Sequence, residues 1–122
     1  MNKICTDIEQ SQKLIELGID VGTADMYYWH GSHRLLRVND GKCEDIDVPA
    51  WSLSALMNML PKLYEFENDP EDGGCQPNLC KGWDNNQWHI VYRSSIYITE
   101  WYDDPLDAAF EMICWLKENK KL

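Results

Sequence analysis

Cys75 and Cys80 are separated by four intervening residues, and His89 follows them closely along the chain. Thiolate and imidazole are the donors zinc prefers, so these three residues are the candidate metal ligands. Cys43, His30 and His33 are further donors, and a turn at 30–33 would bring the two imidazoles to one side. A structural zinc site usually shows two tight Cys/His pairs, whereas this sequence offers one loose pair. The plainer reading makes the cysteines ordinary small residues and the histidines turn and strand residues.

Two other chemistries are weaker. The acids Glu65, Glu67, Asp69, Glu71 and Asp72 suggest a calcium loop. Counted from Asp69, Gly74 falls where an EF-hand needs its glycine, but Cys80 stands where the closing glutamate belongs. A solvated acidic loop accounts for the run. A covalent mechanism needs a thiol or hydroxyl beside an oriented base, and Cys75, Cys80, Ser94, Ser95, His89 and Asp103 supply the types without a recognisable motif. No phosphate-cradling glycine loop is present. The sequence favours a non-enzyme, with no catalytic residue assigned and no cofactor expected. The alternative class is a small metal- or thiol-dependent enzyme using Cys75, Cys80 and His89.

The aromatic residues are a better lead. Six tryptophans occur in 122 residues: Trp29, Trp51, Trp83, Trp88, Trp101 and Trp115. Tryptophan and tyrosine bury large area at low entropic cost, which enriches them at protein interfaces as well as in cores. A sheet covered by helices on one face would leave Trp88 and Tyr92, or Tyr97 and Trp101, at the surface. With Trp83 these form the candidate binding patch, for a protein partner whose identity the sequence does not give.

The charge balance narrows the partner. Eleven Lys and Arg stand against 21 Asp and Glu, a formal net charge of −10. Nucleic-acid phosphates are bound by clustered Lys and Arg, so no nucleic-acid partner is expected. Carboxylates can also imitate DNA and block a basic groove, but a mimic needs them regularly spaced over a long surface. Here they cluster at 40–47, 65–72 and 100–107, around loops and caps. No apolar run approaches the length of a membrane span, so no membrane partner is expected. The polar start Met1-Asn2-Lys3-Ile4-Cys5-Thr6-Asp7 lacks a signal peptide's apolar run, and the five cysteines lack the spacing of a disulfide scaffold. The expectation is a cytoplasmic protein with reduced thiols, a monomer or small homo-oligomer.

The elements that must position these residues follow from local signals. A chain this long holds one core, so residues 1–122 are read as a single α+β domain. Thr6 or Asp7 caps a first helix that Gly18 ends, with Ile4, Ile8, Ser11 and Ile15 on one face and Leu14 and Leu17 beside them. Met26–Trp29, Arg34–Asn39 and Lys42–Ile46 read as strands, with Asp40-Gly41 as a hairpin turn. Within the segment 49–61, Ser52 caps a second helix, Trp51 staples onto Leu56, and Pro61 stops it. Residues 65–78 form an acidic loop. Strands follow at Leu79–Trp83, Gln87–Arg93 and Ile96–Tyr102. In the middle one, Trp88, Ile90 and Tyr92 share a face opposite His89, Val91 and Arg93. Asp104, Pro105 and Asp107 then open a third helix with Leu106, Ala109, Phe110 and Ile113 on its buried side. The predicted order is α-βββ-α-βββ-α, an antiparallel sheet of hairpins and meanders packed by about three helices.

Two segments carry a resemblance. Pro49-Ala50-Trp51-Ser52-Leu53-Ser54-Ala55-Leu56 with Leu60-Pro61 is one, and Asp104 through Leu116 is the other. Together with Cys5 to Ser11 they resemble small phage-like or prophage-encoded proteins of unknown function. The resemblance covers about half the chain, at the helices, and implies origin and fold type rather than an activity. The functional expectation is a non-enzymatic accessory protein of a phage or mobile element, acting through protein–protein contact.

Overall fold

In the computed structural model, residues 3–32, 34, 36–39, 41, 43–61, 77–92, 98–120 and 122 are described. The chain runs α1 (Ile8–Glu16), β1 (Met26–Tyr28), β2 (Leu36–Val38), β3 (Val48–Ala50), α2 (Leu53–Met59), β4 (Pro77–Lys81), β5 (Trp88–Tyr92) and α3 (Pro105–Glu118), with short 3-10 turns at Val21–Thr23 and Trp29–Gly31. Among the described residues, three helices pack with antiparallel strands, an α+β fold. The strands form two sheets, one ordered β2-β1-β3 and the other β4-β5.

Each helix begins where capping chemistry directs it. Asp7 accepts from the Gln10 amide at 2.7 Å while the Gln10 side chain accepts from the Asp7 amide at 3.1 Å, a capping box. At the other end Gly18 takes a left-handed φ of +86°. This lets Ile19 N–H reach Leu14 O at 3.0 Å and Gly18 N–H reach Ile15 O at 3.0 Å. Leu14 and Ile19 both enter the core, which fixes how α1 leaves it. Ser52 caps α2 by accepting from Ala55 N–H at 3.1 Å and donates its own hydroxyl proton to Asp25. Asp104 caps α3 through the Leu106 amide at 2.9 Å, with Pro105 in the first turn. The Lys3 amide donates to that same carboxylate, joining the start of the chain to α3.

The main core lies between α2, α3 and β5. Trp51, Leu56, Ile90, Tyr92, Leu106, Met112, Ile113 and Leu116 are completely buried there. A smaller cluster of Cys5, Tyr28 and Ala50 lies between α1 and the three-stranded sheet. Trp51 connects the two, following Ala50 of one cluster and itself belonging to the other. Its backbone N–H donates to Thr6 Oγ1 at 3.0 Å, and its C=O accepts from Thr6 N–H at 2.8 Å. Its indole N–H donates to Thr23 Oγ1 at 2.8 Å. The Thr6 hydroxyl also meets Ser11 Oγ at 2.8 Å, and Tyr28 Oη donates to Thr6 O at 2.8 Å.

Several sequence expectations are corrected. The third strand of the first sheet is Val48–Ala50, not 42–46, and it pairs with β1 rather than β2. The reason is the Asp47 carboxylate, which accepts from His30 N–H at 2.7 Å and Glu44 N–H at 2.8 Å. Side-chain capping of this kind closes residues 44–47 into a turn and competes with a ladder. Pro49 is tolerated because β3 lies at the sheet edge. On α1 the buried residues are Ser11 and Leu14, while Ile15 and Ile4 face solvent. Ser11 turns inward because Thr6 provides its partner. Beyond β5, the described residues 98–102 form isolated bridges to it at Val91–Ile98 and Trp88–Tyr102 rather than a regular strand. Between them the Thr99 hydroxyl accepts from Ile90 N–H at 2.9 Å, replacing the carbonyl a regular strand would supply. The first strand of that sheet spans 77–81 rather than 79–83. Most of the acidic loop expected at 65–78 lies outside the described residues, and its last two positions begin β4.

Two predictions test this framework. Thr6→Val leaves the buried Trp51 amide and Ser11 hydroxyl without their partner, and is expected to cost about 2–4 kcal/mol in urea unfolding. A variant within 0.5 kcal/mol of the parent, on the order of an ordinary surface substitution, would remove the network from the account. Backbone donation from Glu44 and then His30 holds the Asp47 carboxyl below the usual carboxylate range. A depressed folded value stabilises above about pH 4 and is lost as pH falls through it. Asp47→Asn is therefore expected to narrow the stability gap between pH 6 and pH 3, read from urea midpoints at each pH.

Candidate functional site

Antiparallel register decides which side chains of the β4–β5 sheet share a face. Leu79 stands opposite Ile90 and Pro77 opposite Tyr92, and this face feeds Leu79, Ile90 and Tyr92 to the core. Alternation puts the pairs Cys80–His89 and Asn78–Val91 on the outer face. Ile98 joins that face opposite Val91. The Trp101 indole stacks on the His89 imidazole, with ring centroids 3.9 Å apart and planes 12° from parallel.

The sheet therefore carries an aromatic and aliphatic surface. Ile98 is 44% exposed, Trp101 41% and Trp83 95%. Trp83 lies in the turn joining the two strands, which Gly82 N–H closes onto Gln87 O at 2.8 Å. The Asn85 side chain occupies the space beside Gly82, so close that a Cβ there would overlap it. Asn85 also accepts from Gln87 N–H at 3.0 Å, shaping the turn that presents Trp83. The acids Asp84, Glu100 and Asp103, close to these aromatics along the chain, are exposed, and Asp103 accepts from the Gln87 side-chain amide at 3.0 Å.

The five residues of the expected aromatic patch separate. Trp83 and Trp101 are at the surface. Tyr92 is fully buried, donating its hydroxyl to Pro61 O at 2.8 Å, and burial pushes it up to about 12. Trp88 is half-buried, with the Lys81 ammonium 5.5 Å from its ring centroid. Tyr97 lies outside the described residues. Strand alternation identified the face holding Ile90 and Tyr92. Regular alternation along 98–101 would put Ile98 and Trp101 on opposite sides, but the Thr99 hydroxyl interrupts the ladder. The His89–Trp101 stack had no signal in the spacing.

Of the candidate metal ligands, Cys80 and His89 face each other across the strand pair, and Cys75 lies outside the described residues. Among the described residues, no group of three or more His, Cys, Asp or Glu is arranged to hold a metal. Burial pushes the Cys114 thiol up to about 11 and raises Cys5 and Cys43, the last with help from the Asp47 and Asp45 charges. Such thiols stay protonated near neutral pH and are poor nucleophiles. Ser94 and Ser95 lie outside the described residues.

The surface position of Trp83 and the supported position of Trp101 have different energetic consequences. Trp83→Ala is expected to change unfolding free energy by less than about 0.5 kcal/mol. Trp101→Ala loses the stack on His89 and is expected to cost about 0.5–1.5 kcal/mol. Urea denaturation of both variants checks the order, and a larger loss at Trp83 would contradict it. No family model matches this chain, and no curated protein or solved structure matches it significantly.

Proposed function

We propose that this chain is a non-enzymatic accessory protein of a phage or mobile element, acting by contact with a protein partner through the outer face of β4–β5 and its connecting turn. The observation that carries the reading is Trp83, 95% exposed in a turn closed by backbone and Asn85 hydrogen bonds, where it contributes no burial to the fold. A large aromatic held at the surface by an ordered turn is what an interface anchor requires. Trp101 and Ile98 extend the same sheet with further exposed apolar area, and the stack on His89 limits the entropy Trp101 would lose on contact. The likeness of the helical segments to phage-like proteins supports the accessory role.

Among the described residues, no helix is long and apolar enough to cross a membrane. Asp84, Glu100 and Asp103 are exposed and adjoin Trp83, Trp101 and Tyr102 along the chain, with the exposed Lys81 the nearby cation at Trp88, so the partner surface that fits is apolar with a mainly basic edge.

Affinity capture tests the reading. Tagged parent protein and a Trp83→Ala/Trp101→Ala double variant, matched by circular dichroism, are passed over the same bacterial lysate. A protein retained by the parent and lost from the variant is expected. Identical retained sets would sink the assignment of this face.

A further inference from the structure

Apolar side chains are also exposed away from the β4–β5 sheet. Val21 is 50% exposed and Ile15 39%, and both line a cleft of about 440 Å³ that Pro49, Glu44, Asp45 and Asp47 help to enclose. Ile46, between two of those acids, is exposed as well. One wall is the end of α1 with the Val21–Thr23 turn, and the other is the connection from β2 into β3. That volume is in the range of small binding sites, roughly 300–1,000 Å³.

Both walls are fixed by polar contacts of their own. Asp20 accepts from Gly22 N–H at 2.9 Å, and Thr23 Oγ1 donates to Asp20 O at 2.6 Å while accepting from the Trp51 indole. Across the cleft, Asp47 accepts from the His30 and Glu44 amides. Ile15 and Val21 are thus held at the surface by an ordered frame, and apolar area grouped in this way marks a contact site.

The charge of the cleft decides what fits it. Asp47 is engaged, but Glu44 and Asp45 are exposed and form no ion pair among the described residues. No Lys or Arg stands among the described residues that line the cleft, and Lys13 on α1 is paired with Glu118 at 3.8 Å. Cys43 belongs to the same lining, and its thiol is pushed up by burial and then by the Asp47 and Asp45 charges, in keeping with a negative potential there. A second copy of this chain, with its own charge of −10, is repelled from such a surface, and a basic segment is drawn to it.

We propose that this cleft is a second docking site, for a short basic segment of a partner protein that lays an aliphatic side chain against Ile15 and Val21 and sets a flanking Lys or Arg on Glu44 or Asp45. The cleft shares no residue with the outer face of β4–β5 and does not depend on that face having a partner.

Titration with the peptide acetyl-Lys-Leu-Lys-amide, followed by amide ¹H–¹⁵N chemical shifts, tests the proposal. Saturable shifts centred on Val21, Gly22, Cys43, Glu44 and Asp45 are expected. Acetyl-Lys-Ser-Lys-amide and acetyl-Glu-Leu-Glu-amide, which lack the apolar or the basic part, are each expected to bind weaker by at least about tenfold. Val21→Ser, at an exposed position, is expected to weaken the leucine peptide by about fivefold. The three-peptide comparison uses the unmodified chain and needs no variant to fold. Equal response to the serine peptide, or shifts scattered over the acidic surface, would overturn the site. Shifts of the same amides with protein concentration alone would assign the cleft to a second copy and overturn it too.

Discussion

A reciprocal pair of hydrogen bonds ties the segment before α1 to the residue before α2: Thr6 N–H donates to Trp51 O, and the Thr6 hydroxyl accepts from Trp51 N–H. Both residues are completely buried, so neither group has water as an alternative. Through this pair the smaller cluster at the three-stranded sheet and the main core are held in one arrangement. The Trp51 indole extends the connection to Thr23, and Tyr28 Oη extends it to the sheet through Thr6 O. A network of this kind is useful only when all its members are satisfied, and here each donor on Trp51 has an acceptor.

The same economy explains much of the charge of −10. Asp7, Asp20 and Asp104 accept from backbone amides at helix or turn starts, Asp25 accepts from Ser52 N–H, and Asp47 accepts from two amides. These carboxylates are spent on the fold. Asp84 and Glu100 are exposed beside the surface tryptophans instead, which gives the outer sheet face an electrostatic character of its own. Charges beside an apolar surface of this kind affect the rate and selectivity of any contact more than its strength.

The helices were legible in the sequence because their signals are local. Asp104-Pro105 with Asp107 marks the start of α3, Ser52 marks α2, and Asp7 with Gly18 brackets α1, each acting within a few residues of itself. The sheets were less legible because their determinants are distant side chains. Asp47 redirects residues 44–47 by capping amides from two segments, and Thr99 takes the Ile90 amide away from a ladder. Helical spacing put Ser11 on the inward face of α1, where Thr6 partners it, but the same spacing put Ile4 and Ile15 there although both face solvent. The alternation of β5 correctly grouped Trp88, Ile90 and Tyr92, yet could not say which face helices would cover.

The tryptophans divide by exposure: Trp51 is completely buried and holds the fold, while Trp83 and Trp101 lie at the surface, as the proposed partner contact requires. Photochemically induced nuclear polarisation with an aqueous flavin dye reports which indole rings the dye can touch. The account predicts strong polarisation of Trp83, clear polarisation of Trp101 and none of Trp51. A polarised Trp51, or a silent Trp83, would contradict it.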